Sequence, residues 1–420
     1  MKIEKTALLA LGAAMTSGAA LASNTVDKAT PNVLLILVDD LGLGDLSCQY
    51  AKDLSTPNID RIFETGVRLD NFYANSSVSS PSRAALLTGR FPAMVGVPGV
   101  IRPSVDQNWG YFDPSAVTMP EVLKNGGYRT ALIGKWHLGW ESPNLPNERG
   151  FEHFHGFLAD MMDDYYTHRR QGGNYMYLND KEIDPKGHAT ELFTSWSVDY
   201  IKKEAKEKKP FFLYLAYNAP HSPLQPPVEW VNKVQERDKS LPVKRARLIA
   251  LIEHLDYNIG KVIQSLEESG QLNNTLVIFA SDNGGDRGSM ANNGPTRGAK
   301  GDMFEGGIHV ACALNMPGVF EGGRHDNHFV VMMDLMPTIC DFVNVPVKHE
   351  IDGISVLDAI KGKTQNTEDR FVFWLRNEGG AQFGGKSQSA VRYNEYKLLQ
   401  NLPFEEAQTV SYTHLRAHET

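Results

Sequence analysis

The chain has 420 residues, with 42 Lys+Arg against 50 Asp+Glu, a formal net charge of −8, 22% charged and 41% hydrophobic residues. That is globular composition with material for a large core, and it excludes a disordered or collagen-like chain. A net negative chain lacks the basic footprint that drives phosphate-backbone binding, which speaks against nucleic acid as a partner.

At the N-terminus Lys2 and Lys5 precede an apolar run over 6–15, and Ala20-Leu21-Ala22 matches a small-x-small cleavage site. This is the pattern of a secretory signal, so export with cleavage near Ala22 is expected. The run is well short of the roughly 18–20 residues that a membrane span needs. No later segment is apolar and long enough to span either, and no Cys follows the run as in a lipoprotein.

Short apolar runs recur at 33–38, 130–133, 211–217 and 276–280, and helical patterns lie between them at 56–65, 118–125, 189–205 and 244–269, the last ending at Gly270. Continuous apolar runs suit strands buried on both faces. Their alternation with helices predicts an α/β fold, a large, mostly parallel sheet sandwiched by helices. The charged run 202–209 reads as a solvated helix C-terminus. Past about residue 345, strand-like stretches at 371–375 and 390–399 flank the glycine-rich 379–385 and predict a smaller antiparallel C-terminal subdomain. Residues 411–420 match, codon by codon, the in-frame translation of a transposase-based sequencing adapter. The expected organisation is therefore a signal peptide at 1–22, a catalytic unit at 23–345, a truncated subdomain at 346–409 with open strand edges, and adapter at 410–420. Three cysteines, Cys48, Cys312 and Cys340, are too few for a disulfide framework and read as structural thiols rather than one disulfide.

Polar residues cluster where strands end. Asp39 and Asp40 follow the first run, Lys135 and His137 the second, His221 the third, and Asp282 and Asn283 the fourth. Any one of these reads equally well as a strand-ending turn residue. Together they point to the crevice at the carboxyl edge of a parallel sheet. Asp39, Asp40, Asp282 and Asn283 offer only oxygen, which selects a hard cation such as Ca²⁺ or Mg²⁺ over zinc. The stretch 75–90 reads as a loop entering a helix with Ser80 as N-cap and Pro81 as the first helical residue. That places Ser79 at a helix start with Arg83 one turn away, suited to an anion, although serines before a helix also serve plain capping.

The motif Ser79-x-Pro81-Ser82-Arg83-x-x-x-Leu87-Thr88-Gly89-Arg90 resembles the signature of the type I sulfatases of the alkaline phosphatase superfamily. Asp39-Asp40, Gly134-Lys135-Trp136-His137, Ala219-Pro220-His221, Ser281-Asp282-Asn283-Gly284, and Lys300 ahead of Phe304-Glu305-Gly306-Gly307 fit the same family, over about 31–353. The resemblance implies an alkaline phosphatase-like fold and a sulfuric ester hydrolase acting on a sulfated carbohydrate. It makes Ser79 the precursor of formylglycine, and Asp39, Asp40, Asp282, Asn283 and residue 79 the ligands of one Ca²⁺. It places Arg83, Lys135, His137, His221 and Lys300 around the sulfate. His221 or Lys300 would protonate the leaving alcohol, and His137 would deprotonate the second hydroxyl of hydrated formylglycine. Ser rather than Cys at 79 implies a radical-type sulfatase-maturating enzyme as partner and a periplasmic or secreted enzyme of a bacterium.

Two other readings compete: a phosphate-ester hydrolase of the same superfamily, and a sulfated-glycan-binding pseudo-enzyme with unmodified Ser79. The stretches 161–170 and 172–177 mix aromatic and charged residues, as sugar binding would require or as a plain surface loop would show.

Overall fold

Strands buried on both faces need apolar side chains at successive positions, and the two central strands show them over 33–38 and 211–217. The computed structural model describes residues 30–207, 209–378, 387–400 and 408–411; the signal expected at 1–22, the glycine-rich 379–385 and the tail from 412 lie outside the described residues. In chain order the framing elements are β1 (Asn32–Asp39), α1 (Pro57–Glu64), β2 (Val67–Leu69), α2 (Ser79–Thr88), α3 (Met119–Asn125), β3 (Arg129–Lys135), β4 (His153–Phe157), β5 (Met176–Leu178) and β6 (Lys181–Glu182). They continue through α4 (Ala189–Glu207), β7 (Phe211–Pro220), α5 (Val228–Arg237), α6 (Val243–Glu268), β8 (Thr275–Ser281), α7 (Glu305–Ile308), β9 (Cys312–Asn315), β10 (Arg324–Asp326) and α8 (Leu335–Phe342). The strands form one ten-stranded sheet in the order β10-β2-β9-β8-β1-β7-β3-β4-β5-β6. Its centre, β8-β1-β7-β3-β4, is parallel, and β9, β5 and β6 pair antiparallel to their inner neighbours.

Every residue of β1 and β7 is buried. Val33, Leu35 and Leu37 enter the core beneath α2, α3 and α8, while Leu34, Ile36 and Val38 enter the core beneath α1, α4 and α6. Two cores, one on each face, are the reason these strands read as unbroken apolar runs rather than alternating ones. The ladders also outrun the apolar runs: β1 reaches Asp39, β3 reaches Lys135 and β7 reaches Pro220. Sheet hydrogen bonds thus carry the first polar residues to the edge in a defined register, with Val38 opposite Ser281 and Asp39 opposite Pro220.

Two local expectations are corrected. Helix α2 begins two residues early, at Ser79, with extended Val78 as its N-cap. Pro81 lies in the first turn, where the helix needs no N–H, and Ser80 Oγ accepts the Ile101 N–H instead of capping. Gly89, at φ 65°, closes the helix. The stretch 390–399 is a hairpin rather than one strand. After α9 (Leu357–Ile360) the chain forms β11 (Val372–Asn377), β12 (Ser387–Tyr393), β13 (Tyr396–Gln400) and β14 (Gln408–Ser411). Tyr393 pairs with Tyr396 across a two-residue turn in which Asn394 takes φ 51°, a conformation Asn tolerates better than most residues. These four strands make one antiparallel sheet, and β14 pairs with the outer edge of β13, an edge that the sequence left open.

The small sheet is bonded to the large unit. Trp374 Nε1 donates to the Ala74 carbonyl (2.8 Å), Lys397 Nζ to the Met303 carbonyl (2.7 Å) and Glu305 Oε1 (2.8 Å), and the Asn377 amide to Pro98 O (2.9 Å). The three cysteines are free, with Cys312 and Cys340 buried. Among the described residues no helix is long and apolar enough to cross a membrane.

Candidate active site

Four neighbouring parallel strands discharge at one edge, and the residues singled out in sequence meet there. Asp39 ends β1 and Asp40 follows it; Lys135 ends β3 with His137 two residues on; His221 follows β7; Asp282 and Asn283 follow β8. Ser79 and Arg83 arrive on the first turns of α2, and Lys300 on the loop ahead of α7. Asp40 and His137 take left-handed backbone angles, φ 66° and 62°. Non-glycine residues hold that conformation only where surrounding bonds over-determine it. Here the Asp40 amide donates to Asp282 Oδ1 (3.2 Å) and the His137 amide to the Leu158 carbonyl (3.0 Å).

The side chains form one buried network. Ser79 Oγ donates toward Asp39 Oδ1 (3.0 Å) and Asn283 Oδ1 (3.2 Å). Asn283 Nδ2 donates to Asp40 Oδ1 (2.8 Å). Arg83 Nη2 lies 2.9 Å from Asp282 Oδ2 and 3.7 Å from Asp39 Oδ2. Lys135 Nζ is 2.5 Å from Asp39 Oδ2, and Lys300 Nζ is 2.6 Å from Asp40 Oδ2. His221 Nε2 sits 3.5 Å from that same Asp40 oxygen, while His137 Nε2 faces the Ile101 carbonyl at 3.0 Å.

Burial would raise the Asp39 carboxyl, but Lys135, His221, Arg83 and Lys300 together hold it well below the usual carboxylate range. Asp282 goes the other way, pushed up to about 7 by burial and then by the charge of Asp39, against the pull of Arg83. Burial lowers Lys135 despite Asp39, and lowers His137 strongly with help from Lys135 and Arg83. His221 is lowered by burial and then by Lys300, whereas the carboxylates of Asp40 and Asp39 outweigh burial at Lys300 and raise it.

Three carboxylates packed this closely repel one another, and the charges of Asp39 and Asp40 add to burial in raising Asp282. A cation among them would relieve that repulsion. Asp39, Asp40 and His221 each offer a ligand atom within 4.8 Å of the others, so they could hold a metal ion. His221 was not among the ligands expected from sequence. With Asp282 and Asn283 adjoining, the donor set is oxygen-rich with one imidazole at its rim, which fits a hard divalent cation.

The network opens into a cleft of about 370 Å³ lined by Ser79, His137, His221 and Lys300 together with Arg102, Asp160, Arg170, Asp286 and Arg376. Arg170 lies in the stretch 161–170 singled out in sequence. From the same stretch, buried Tyr165 is a support, its hydroxyl bonded to the carbonyls of Asn218 (2.9 Å) and His221 (2.8 Å). Sequence reasoning missed Arg102, Asp160, Asp286 and Arg376. Asp286 had a local signal, the glycines before it; Arg376 had none, because it comes from the small sheet. A larger cavity of about 430 Å³, between Tyr50, Arg68, Tyr73 and His309, contains none of the expected catalytic or metal-binding residues.

The sulfatase family model matches residues 31–345. Mouse arylsulfatase J is 30% identical over 404 residues, covering 91% of this chain and 66% of that protein, so the chain spans a little under two thirds of it. Dog N-acetylgalactosamine-6-sulfatase is 30% identical, over 87% of this chain and 71% of that protein. Among solved structures, Ps i-CgsB in complex with k-i-k-neocarrahexaose superposes with a TM-score of 0.83 at 30% identity, over 92% of this chain and 87% of that one.

Proposed function

The chain belongs to the sulfatase family, the sulfuric ester hydrolases of the alkaline phosphatase superfamily, and we propose that it removes sulfate from a sulfated carbohydrate through formylglycine made from Ser79. One calcium ion, held by Asp39, Asp40, Asp282, Asn283 and residue 79, would supply electrostatic stabilisation of the sulfate oxygens and of the attacking oxygen. The observation that carries this reading is Ser79 Oγ seated between the oxygens of Asp39 (3.0 Å) and Asn283 (3.2 Å), on a helix start beside Arg83. The carbohydrate substrate is supported by the oligosaccharide in the similar structure.

The surrounding side chains suit their tasks. Arg83, Lys135 and Lys300 bring three cations to a substrate anion. The Nδ1 atom of His221 faces the Ser222 carbonyl at 2.6 Å, which turns Nε2 toward Asp40, beside Lys300. From there, as one hydroxyl of hydrated formylglycine 79 attacks sulfur, His221 as imidazolium or Lys300 hands a proton to the leaving sugar oxygen while its bond to sulfur breaks. His137 donates its Nε2–H to Ile101, so the lone pair is on Nδ1, which has no partner among the described residues. A neutral, buried imidazole of that tautomer is a base. It takes the proton from the second hydroxyl of hydrated formylglycine, the sulfate leaves and the aldehyde returns. Net, one water is consumed and one alcohol and one hydrogensulfate form.

Maturation by a radical-type sulfatase-maturating enzyme and export to the periplasm or outside the cell complete the proposal. The test joins two measurements on protein from a host with that maturase: the mass of the tryptic peptide ending at Arg83, and sulfate release from sulfated oligosaccharides. The mass expected is that of formylglycine at 79; sulfate release at full rate by protein with unmodified serine would overturn the mechanism.

A further inference from the structure

The cleft above the network is asymmetric in charge. On one wall Arg170 is saturated by acids: Nε and Nη2 meet both oxygens of Asp160 (2.8 and 2.8 Å), and Nη1 meets Asp163 (2.9 Å). On the other wall two guanidiniums share one carboxylate. Glu378 is fully buried, and its Oε2 lies 3.0 Å from Arg376 Nη2 and 3.5 Å from Arg102 Nη2. Its Oε1 is taken by the Val100 amide (3.0 Å). Arg376 also donates to the Gly301 carbonyl (2.8 Å), so two of the five N–H groups of a guanidinium are engaged there. Among the described residues Arg170 therefore meets two acids through short bonds, whereas Arg102 and Arg376 share the carboxylate of Glu378. Asp160 also attracts Arg102, yet the short bonds of Asp160 go to Arg170.

Resting on the sulfatase reading, we propose that Arg102 and Arg376 form a second anion subsite beside Ser79, and that the substrate is a sugar carrying two anionic groups. The scissile sulfate occupies the Ser79 end, and a second sulfate or carboxylate meets the paired guanidiniums, which suit the planar, bidentate recognition of such groups. The Arg170 wall, with its excess of carboxylate, accepts sugar hydroxyls. A volume of about 370 Å³ lies at the small end of the range for ligand pockets, about 300–1,000 Å³, and suits a short glycan segment rather than a folded polymer.

The test uses matched competitors of 4-nitrophenyl sulfate hydrolysis by the matured, calcium-loaded enzyme. The pairs are D-glucosamine 6-sulfate against D-glucosamine 2-N,6-O-disulfate, and neocarrahexaoses of equal length with lower and higher sulfation. The readout is the ratio of the two inhibition constants within a pair, in which any general loss of activity cancels. The wild-type protein should prefer the doubly anionic member of at least one pair by about tenfold or more, one charge-assisted contact. Arg376→Gln and Arg102→Gln should each reduce that ratio toward unity, while Arg170→Gln should keep it. Because Arg376 also holds the Gly301 carbonyl next to Lys300, Arg102→Gln decides if the Arg376 variant misfolds. No wild-type preference in either pair, or an equal loss in the Arg170 variant, overturns the subsite. Failure of the sulfatase reading shows separately, as absent 4-nitrophenyl sulfate hydrolysis, and the ratio is then read from calorimetric Kd values of the same pairs.

Discussion

The two sheets solve opposite problems. The carboxyl edge of the large sheet buries Asp39, Asp282, Arg83 and Lys135 completely. The small sheet does the reverse on its outer face: Phe371 is 59% exposed, Phe373 52% and Tyr396 54%, with Leu375, Tyr393 and Leu398 beside them. Its inner face carries Trp374, Lys397 and Arg376 onto the loops that hold Ser79 and Lys300. Charge is buried where each ion has a countercharge within hydrogen-bond reach, because only then does the low dielectric strengthen rather than penalise it. The large sheet is thus built around its site, and the small sheet braces it from outside.

The largest expected effect comes from emptying that edge. Asp39→Ala should lower kcat by about a thousandfold or more and abolish calcium binding together, as read by single-turnover kinetics and metal analysis. Full activity in strong chelator would break the comparison, since the carboxylates would then be structural.

Next is the bond from the small sheet to α7. Lys397→Met takes from buried Glu305 the cation 2.8 Å away, leaving His309 and Tyr73 as its neighbours. A loss of about 3–5 kcal/mol is expected in denaturant unfolding, with part of it recovered by adding Glu305→Gln.

Acid should separate the two regions. Burial, with His254 as neighbour, lowers His188 to about 4, and burial, with Lys261, lowers His254 to about 4, from 6.5 in each case. Both folded values lie below the unfolded one, so the stability they contribute is present above pH about 6.5 and is lost as pH falls through about 4. The loss is at most about 3 kcal/mol for each. Their rings lie 4.8 Å apart, so the two losses do not add independently. Among its described residues the small sheet has no histidine. Hydrogen exchange against pH should therefore show α4 and α6 loosening first, and His254→Gln should flatten the profile.

The smallest effect is on the outer face. Phe373→Thr should change stability by about 0.5 kcal/mol or less while reducing self-association in light scattering.

Much of the large sheet was legible because burial on both faces leaves a local trace, an apolar run closed by a polar residue. Asp39, Lys135 and Asp282 were visible as the residues that stop such runs. The start of α2 was misplaced by two residues because Ser80 ahead of Pro81 is a good cap in isolation; its hydroxyl instead accepts the Ile101 N–H, and that contact is tertiary. The turn at Asn394 was missed because Val391, Tyr393, Tyr396 and Leu398 keep an apolar texture through it.

By itself the sequence determined which residues leave the strands at the sheet edge, since strand ends and helix starts are set by neighbours a few positions away. The tertiary structure decided which of them meet. Strand register brings Asp39 beside Pro220 and Val38 beside Ser281, and packing of the small sheet delivers Arg376, held by Glu378, to a cleft whose proposed nucleophile is nearly three hundred residues earlier. No local pattern encodes such a meeting, because the free energy that fixes it comes from long-range pairing and burial rather than from neighbouring backbone preference.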